Sequence, residues 1–474
     1  MGYELDYLFH PQSIAVVGAS PDARSQGNRY VATLQEHEYR GDVYPVHPTA
    51  EEIVGRTAYR SILDVPGQVD YVISCIPARG VLELIDQCAA KGVKVVQLFT
   101  ARFSETGVPE LAELERELLR RAQAAGIRLI GPNCMGIYYP EGGLAFKASM
   151  PREPGGVGVL SQSGGNALEL VMEAAVRGVR FSKVVSYGNA LDVNEADLMD
   201  YFAEDPDTSV IGAYIEGVRD GRRFFDALRR AAAVKPVVLI KGGRTSAGDR
   251  AVASHTASLA GSERLWDALA KQTGALMADS IDALVDMLVA FSFCRPSTGT
   301  RAAVVGGGGG RSVASADECE EAGLHVPPLP AAMRAQFRET DPALADWISN
   351  PADGSILGGS GLTMLAVMEA MVASPEYDVL IANVGEHFPL DTPPGAAQVA
   401  RTTDTYVRAA QQTTKPVAVV LGHGASRFDW QRAALLEARE RVAEAGVALF
   451  PSVGRAALAL RRAADYWRRR AEGA

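Results

Sequence analysis

The chain has 474 residues, 47% of them hydrophobic and 22% charged, and a formal net charge of −10. At about 150 residues per domain this length predicts about three domains, and the composition is that of a globular chain, not a disordered one. The acidic balance argues against a general nucleic-acid or anionic-membrane binder, because both need a basic surface. The local exception, Arg461-Arg462 and Arg468 to Arg470, reads as a solvated helix end where cations suit the dipole. The five cysteines, Cys75, Cys88, Cys134, Cys294 and Cys319, form no CxxC pair. That pattern fits a reducing cytoplasm and supplies no zinc site, so no metal is expected. The opening Met-Gly-Tyr-Glu-Leu-Asp is not expected to be a signal peptide. No uncharged apolar stretch reaches membrane-spanning length.

In chain order, β-branched runs at 13–17, 71–74, 93–98 and 127–130 read as strands, with a second strand expected within 43–48. Helix-like segments fall between them, near 28–38, 80–91 and 109–125. Such alternation implies a parallel sheet with helices on both faces. A Pro- and Gly-rich break at 151–156 restarts the pattern. A strand at 157–160 runs into Ser161-Gln-Ser-Gly-Gly165 and a helix through Gly178, followed by strands near 182–186, 209–215 and 236–240 and a helix at 280–293. A second break at 295–300 leads to strands at 301–305, 378–382 and 417–421. Three α/β domains are therefore expected, at 1–150, 151–297 and 298–474.

Several turns carry chemistry. Gly18, after the first strand, would let the backbone approach a phosphate, although a glycine that only packs reads equally well. The full GxGxxG is absent, and His47-Pro48 stand where a dinucleotide enzyme carries the acid that holds the ribose. An NAD-dependent oxidoreductase is thereby disfavoured. Ser161-Gln-Ser-Gly-Gly165 opens a helix, where free amides and small residues suit an anion; Ser163 reads equally as an N-cap. Gly306 through Gly310, followed by Arg311-Ser312, looks like a nucleotide P-loop with the wrong spacing and with Arg311 in place of lysine. The plain alternative is a flexible glycine turn. Among seven histidines, His255 stands in a small-residue loop after a strand, where a side chain can swing. Imidazole is partly unprotonated and nucleophilic near neutrality.

Taken together, Ser13-Ile-Ala-Val-Val-Gly-Ala-Ser20, Tyr44-Pro-Val-His-Pro48, Ser74-Cys-Ile-Pro-Ala78 and Leu129-Ile-Gly-Pro-Asn-Cys134 resemble the CoA-binding domain of the succinyl-CoA synthetase and ADP-forming acetyl-CoA synthetase superfamily. The segment 241–261 around His255 resembles that superfamily's phosphohistidine loop. The resemblance implies a Rossmann-like CoA-binding domain followed by two flavodoxin-like parallel-sheet domains. It implies coenzyme A held by Gly18, Ala19, Ser20, His47, Pro48, Ile76, Pro77 and Asn133. A phosphoryl group carried on His255 would sit between two helix starts, one at Ser161, Ser163, Gly164 and Gly165, the other at Gly309, Gly310 and Arg311. Glu216, in Tyr214-Ile-Glu-Gly217, matches the carboxylate that steadies the histidine; a solvated turn residue is its plain reading. Asn189 and Asp192 match a segment near the site, and Asn350-Pro-Ala-Asp353 matches in the third domain.

Departures are visible: Thr49 for a lysine, Arg102 for a glycine, Ala257 for a glycine in the histidine loop, and Arg311-Ser312 for smaller or apolar residues. Arg24 and Arg29 are candidates to replace the missing lysine; Arg29 reads equally as an exposed helix residue. No ATP-grasp unit is found. The resemblance therefore implies a separate ATP-grasp β-type subunit that binds ATP or ADP with Mg, in an oligomer. The implied reaction joins a carboxylic acid to CoA at the expense of ATP. The alternative is a CoA- or acyl-CoA-binding regulatory module of the same fold, without turnover. The acid is open, with Arg79, Arg102 and Arg311 as groups that would favour an anionic or polar one.

Overall fold

The computed structural model describes residues 2–245, 247–248, 263–357, 361–385, 389–422 and 428–473, and carries three parallel sheets, each flanked by helices. The first contains β1 (Ser13–Val17) and β2 (Asp42–Val46). A small antiparallel ribbon of β3 (Glu52–Ile53) and β4 (Arg56–Thr57) follows β2. The sheet continues with β5 (Tyr71–Ser74), β6 (Val95–Leu98) and β7 (Arg128–Ile130), in the order β2-β1-β5-β6-β7. Every residue of β1, β5 and β6 is buried, the signature of a parallel strand covered on both faces. The helix Gln26–Glu36 starts where the Ser25 side chain accepts from the Asn28 amide at 3.2 Å. The helix Val81–Lys91 stops at Gly92, whose φ of 77° places it in the left-handed region.

The second sheet holds β8 (Gly136–Tyr138), β9 (Pro154–Ser161), β10 (Phe181–Ser186), β11 (Val210–Ile215), β12 (Val237–Lys241) and β13 (Leu276–Met277). Its order is β13-β12-β11-β9-β10-β8, with β8 antiparallel at the edge. In β9 to β13 the order repeats that of the first sheet: the first strand lies between the second and the third. A crevice therefore opens beyond the carboxyl ends of β1 and β5, and another beyond β9 and β11, where ligands of doubly wound sheets bind. The sequence missed β8, because three residues lining an edge carry no alternation of their own.

The third sheet is β14 (Ala302–Gly306), β15 (Val379–Asn383), β16 (Val417–Val420) and β17 (Ala448–Phe450), in that order. On the other side of β14, among the described residues, isolated parallel bridges form, Arg301 with His325 and Val305 with Ala352. They stand where the first two sheets have a full strand.

The chain divides into two compact units: 1–172 with 180–284, and 173–179 with 285–474. The first two sheets lie in the first unit and the third sheet in the second. The second unit has its own core, built on Val305, Phe337, Met368, Tyr377 and Val419. Among the described residues, no helix is long and apolar enough to cross a membrane, and no group of three His, Cys, Asp or Glu could hold a metal ion.

Candidate active site

In the first unit, the turn after β1 is built by close backbone approach. Gly18 has φ +85°, and a Cβ there would lie 3.0 Å from the Cys75 carbonyl group. A Cβ on Gly27 would lie 2.4 Å from the Gly18 oxygen, so this glycine lets the helix Gln26–Glu36 pack on the turn. Asn28 Nδ2 donates to the Ser20 carbonyl at 2.7 Å and fixes the segment Gly18-Ala19-Ser20. Arg24 is drawn into an exposed pair with Asp22 at 3.0 Å, and Arg29 is exposed. At the end of β2, His47 Nδ1 accepts from the amides of Thr49 at 3.2 Å and Ala50 at 2.9 Å. That nitrogen is committed to its own turn, which also explains why Pro48 can follow: its missing N–H is not one of the donors used.

The ends of β5 and β6 meet the start of the helix Gly164–Ala175 across a cleft of about 510 Å³. Its lining brings together Ile76, Pro77 and Asn133 from the first sheet with Ser163, Gly164, Gly165 and Glu216 from the second. Gly18, Ala19, Ser20, His47 and Pro48 are not among its lining residues; Gly18 adjoins it through Ile76. Asn133 holds φ +57°, and its amide donates to Thr100 O at 2.9 Å. Two cysteines, Cys75 and Cys134, line the cleft, and desolvation pushes both thiols up to about 12. Neither is a thiolate at neutral pH.

Ser161 is buried below the helix start, where its hydroxyl donates to Ser163 O at 2.7 Å. Ser163 Oγ accepts from the Asn166 amide at 3.3 Å, so it does cap the helix. Between the serines lies Gln162, which sequence reasoning passed over. Its side chain is buried, and Oε1 accepts from the amides of Glu216 and of Gly217, the latter at 2.9 Å. The carboxamide thus ties the end of β11 to the helix start. A glutamine between two small residues at a strand end was the available signal.

Glu216 is 7% exposed. The buried Lys241, at the end of β12, donates to the Glu216 carbonyl at 2.7 Å and to Gly242 O. A Cβ on Gly242 would lie 2.6 Å from Tyr214 Oη and 3.2 Å from Glu216 Cγ, so only glycine lets β12 leave the sheet beside this carboxylate. Burial, together with the neighbouring Glu216 charge, pushes Tyr214 up to about 12. His255 and Ala257 lie outside the described residues.

Asn189 is 3% exposed and joins the two sheets: its amide donates to Pro132 O at 2.9 Å and Nδ2 donates to Glu105 at 2.9 Å. Asp192 does not line the cleft. It accepts instead from Arg128 Nε and from the Leu129 amide, both at 2.8 Å, and so anchors β7. A second cleft, of about 640 Å³, shares Gln162 and Asn189 with the first and includes Glu115, Glu195 and Arg219. Burial raises Glu195 to about 7.

In the second unit, Gly306 (φ +92°) and Gly307 (φ +71°) turn β14 into the helix Gly309–Glu321. Its N-cap is Gly308, with no side-chain cap. A Cβ on Gly309 would lie 3.3 Å from Asp353 Oδ2, and Gly310 has open space beside it. Arg311 pairs along its own helix with Glu318 at 3.0 Å. Asn350, beside Pro351, accepts from the Val304 amide and donates to Ala302 O, both at 2.8 Å, in place of strand pairing.

The family described as a CoA binding domain matches residues 12–140, and the succinyl-CoA ligase-like flavodoxin domain matches 154–291. The alpha subunit of ADP-forming acetate–CoA ligase II from Pyrococcus furiosus is 38% identical over 378 residues, covering 80% of this chain and 82% of that one. This chain belongs to the ADP-forming acetate–CoA ligase family. The family's Methanocaldococcus jannaschii member is 35% identical over 352 residues, and the match covers 74% of this chain but 49% of that one. The present chain thus matches about half of that longer ligase. The solved dinucleotide-forming acetyl-coenzyme A synthetase 1 of Ca. Korarchaeum cryptofilum, in complex with phosphate and ADP, superposes with a TM-score of 0.79 at 32% identity, over 99% of each chain.

Proposed function

We propose that this chain is the CoA-binding, phosphoryl-carrying subunit of an ADP- or GDP-forming acid–CoA ligase, with domains at 1–150, 151–297 and 298–474. The observation that carries the reading is the single cleft lined by Ile76, Pro77 and Asn133 on one side and by Ser163–Gly165 and Glu216 on the other. A thiol entering past the first group meets an anion held at the second. In the proposed cycle, the His255 imidazole attacks the γ-phosphorus of ATP held, with Mg, by a separate ATP-grasp subunit, and ADP leaves. The Glu216 carboxylate steadies the imidazolium that forms. Phosphoryl transfer breaks the N–P bond and forms an O–P bond to the acid's carboxylate. The amides at Ser163 to Gly165 take up the phosphoryl charge. The CoA thiol then attacks the acyl carbon and phosphate leaves. Gly18, Ala19, Ser20, His47 and Pro48 form the outer part of the CoA site in this reading. The sheet-end geometry of β1 and β5 supports that assignment. The setting is the cytoplasm and the assembly an oligomer of both subunits.

The test is ligation by the chain combined with an ATP-grasp subunit of its own family. CoA, ATP and a carboxylic acid should give acyl-CoA and phosphate. His255→Asn should abolish turnover and Glu216→Gln should lower it by at least a hundredfold. CoA binding without turnover for any acid would favour a regulatory binding module instead.

A further inference from the structure

Arg102 is a non-glycine residue held at φ +74° in the wall of the cleft. Such a conformation is strained for an ordinary side chain, and persists only where the surroundings over-determine it. Here they do. The Arg102 amide donates to Glu105 Oε1 at 2.6 Å and the Phe103 amide to Glu105 Oε2 at 3.0 Å. Asn189 Nδ2 holds the same carboxylate at 2.9 Å, Thr100 Oγ1 donates to Ile76 O at 2.8 Å, and Phe103 is fully buried. The loop is rigid, and the carboxylate of Glu105 is spent on backbone amides. The guanidinium is left without an ion pair or hydrogen bond among the described residues, and Arg102 is exposed. Among the cleft's described lining residues it is the one cation, as Glu216 is the one carboxylate. Arg79, the other first-sheet arginine considered from sequence, is exposed and outside the lining.

We infer that Arg102 is a specificity-determining residue that binds a second anionic group on the acid, so that the preferred substrate is a dicarboxylate. A guanidinium matches a carboxylate in two parallel hydrogen bonds, and the loop backbone that carries it is already ordered, which saves entropy on binding. The CoA phosphates are the other anions available. The acid is favoured because Arg102 shares its cleft with the helix start at Ser163–Gly165 and with Glu216, whereas Gly18–Ser20 and His47–Pro48 lie outside that lining.

This inference rests on the ligase reading above. The experiment compares succinate with butyrate in the complete two-subunit enzyme, for the natural chain and for Arg102→Gly. Glycine accepts the positive φ without strain, so the variant keeps the loop. The natural enzyme should prefer succinate in kcat/KM, and Arg102→Gly should lower the succinate-to-butyrate ratio tenfold or more, through KM for succinate. A natural preference for butyrate, or a ratio unmoved by the substitution, would overturn the inference. So would a rise in KM confined to CoA, which would reassign the arginine to a cofactor phosphate. Labelling of the natural chain from γ-labelled ATP is read separately: absent label removes the ligase reading itself, whereas label with an unmoved ratio removes only the role of Arg102.

Discussion

The two glycine-rich helix starts, one in each unit, are built in different ways. At Ser161–Gly165, side chains do the bracing: Ser161 holds the Ser163 carbonyl, Ser163 caps the helix, and Gln162 reaches across to the end of β11. At Gly306–Gly310 there is no side-chain cap, and Gly306 fits directly against the Asn383 backbone. The first region can lose a side chain and keep its path. The second depends on Gly306, where a side chain has no room.

The largest effect should come from breaking the second. A Cβ on Gly306 would lie 1.9 Å from the Asn383 carbonyl oxygen, at a φ of +92°. Gly306→Ala should therefore cost about 4 kcal/mol in urea denaturation. In the first region, a Cβ on the helix-start Gly164 meets side chains instead of backbone, the flexible Met135 at 2.4 Å for Cγ and Ser186 Oγ at 3.4 Å. Gly164→Ala should cost about 1 kcal/mol. Equal costs would remove the contrast.

The first region also carries a pH-sensitive group in the cleft beside Gln162. Glu195 is raised from 4.5 to about 7 by burial, with the Asp197 charge adding to the rise and its own backbone amide, Arg219 and Arg223 opposing it. The native state holds this proton more tightly than the unfolded chain does. Stability therefore falls as pH rises from about 4.5 to 7 and stays lowered above. Glu195→Gln should gain about 3 kcal/mol over the natural chain across that window, read as the difference between denaturation curves at pH 4.5 and pH 8. A constant difference would show that Glu195 is not so raised.

Gln162→Ala leaves two buried amides, those of Glu216 and Gly217, without their acceptor. The expected loss is about 2 kcal/mol of stability, together with slower turnover as Glu216 loses its fixed position. Caps give the smallest effects. Ser163→Ala should cost about 1 kcal/mol, while Gly308→Ser, at an N-cap with extended backbone and open space beside it, should gain a few tenths of a kcal/mol.

The same contrast explains what was legible in the sequence. The longer buried strands were, because parallel strands such as β1 and β5 are continuous β-branched runs, whereas the short β8, β13 and β17 were not. The helix start at Ser163 was legible too, where the residue type carries the chemistry. Gln162 was not, since its role depends on β11 lying beside β9, a long-range pairing that no local pattern encodes. Asp192 was assigned to the site by its neighbours in sequence, yet it bonds Arg128 and Leu129, far along the chain. Arg102 was visible as a departure from a glycine, but only its φ and the Glu105 clamp give that departure a physical meaning. Glycines at 306 and 307 announced a turn without announcing which backbone they must clear.

In the proposed cycle His255 carries the phosphoryl group and Glu216 steadies it. The most direct measurement is transfer of label from γ-labelled ATP to this chain in the presence of the ATP-grasp subunit, with the protein then split between acid and base. The label should be lost in acid, survive base, disappear in His255→Asn and discharge when CoA and a carboxylic acid are added. Label that survives acid, or that persists in His255→Asn, would contradict the proposed cycle.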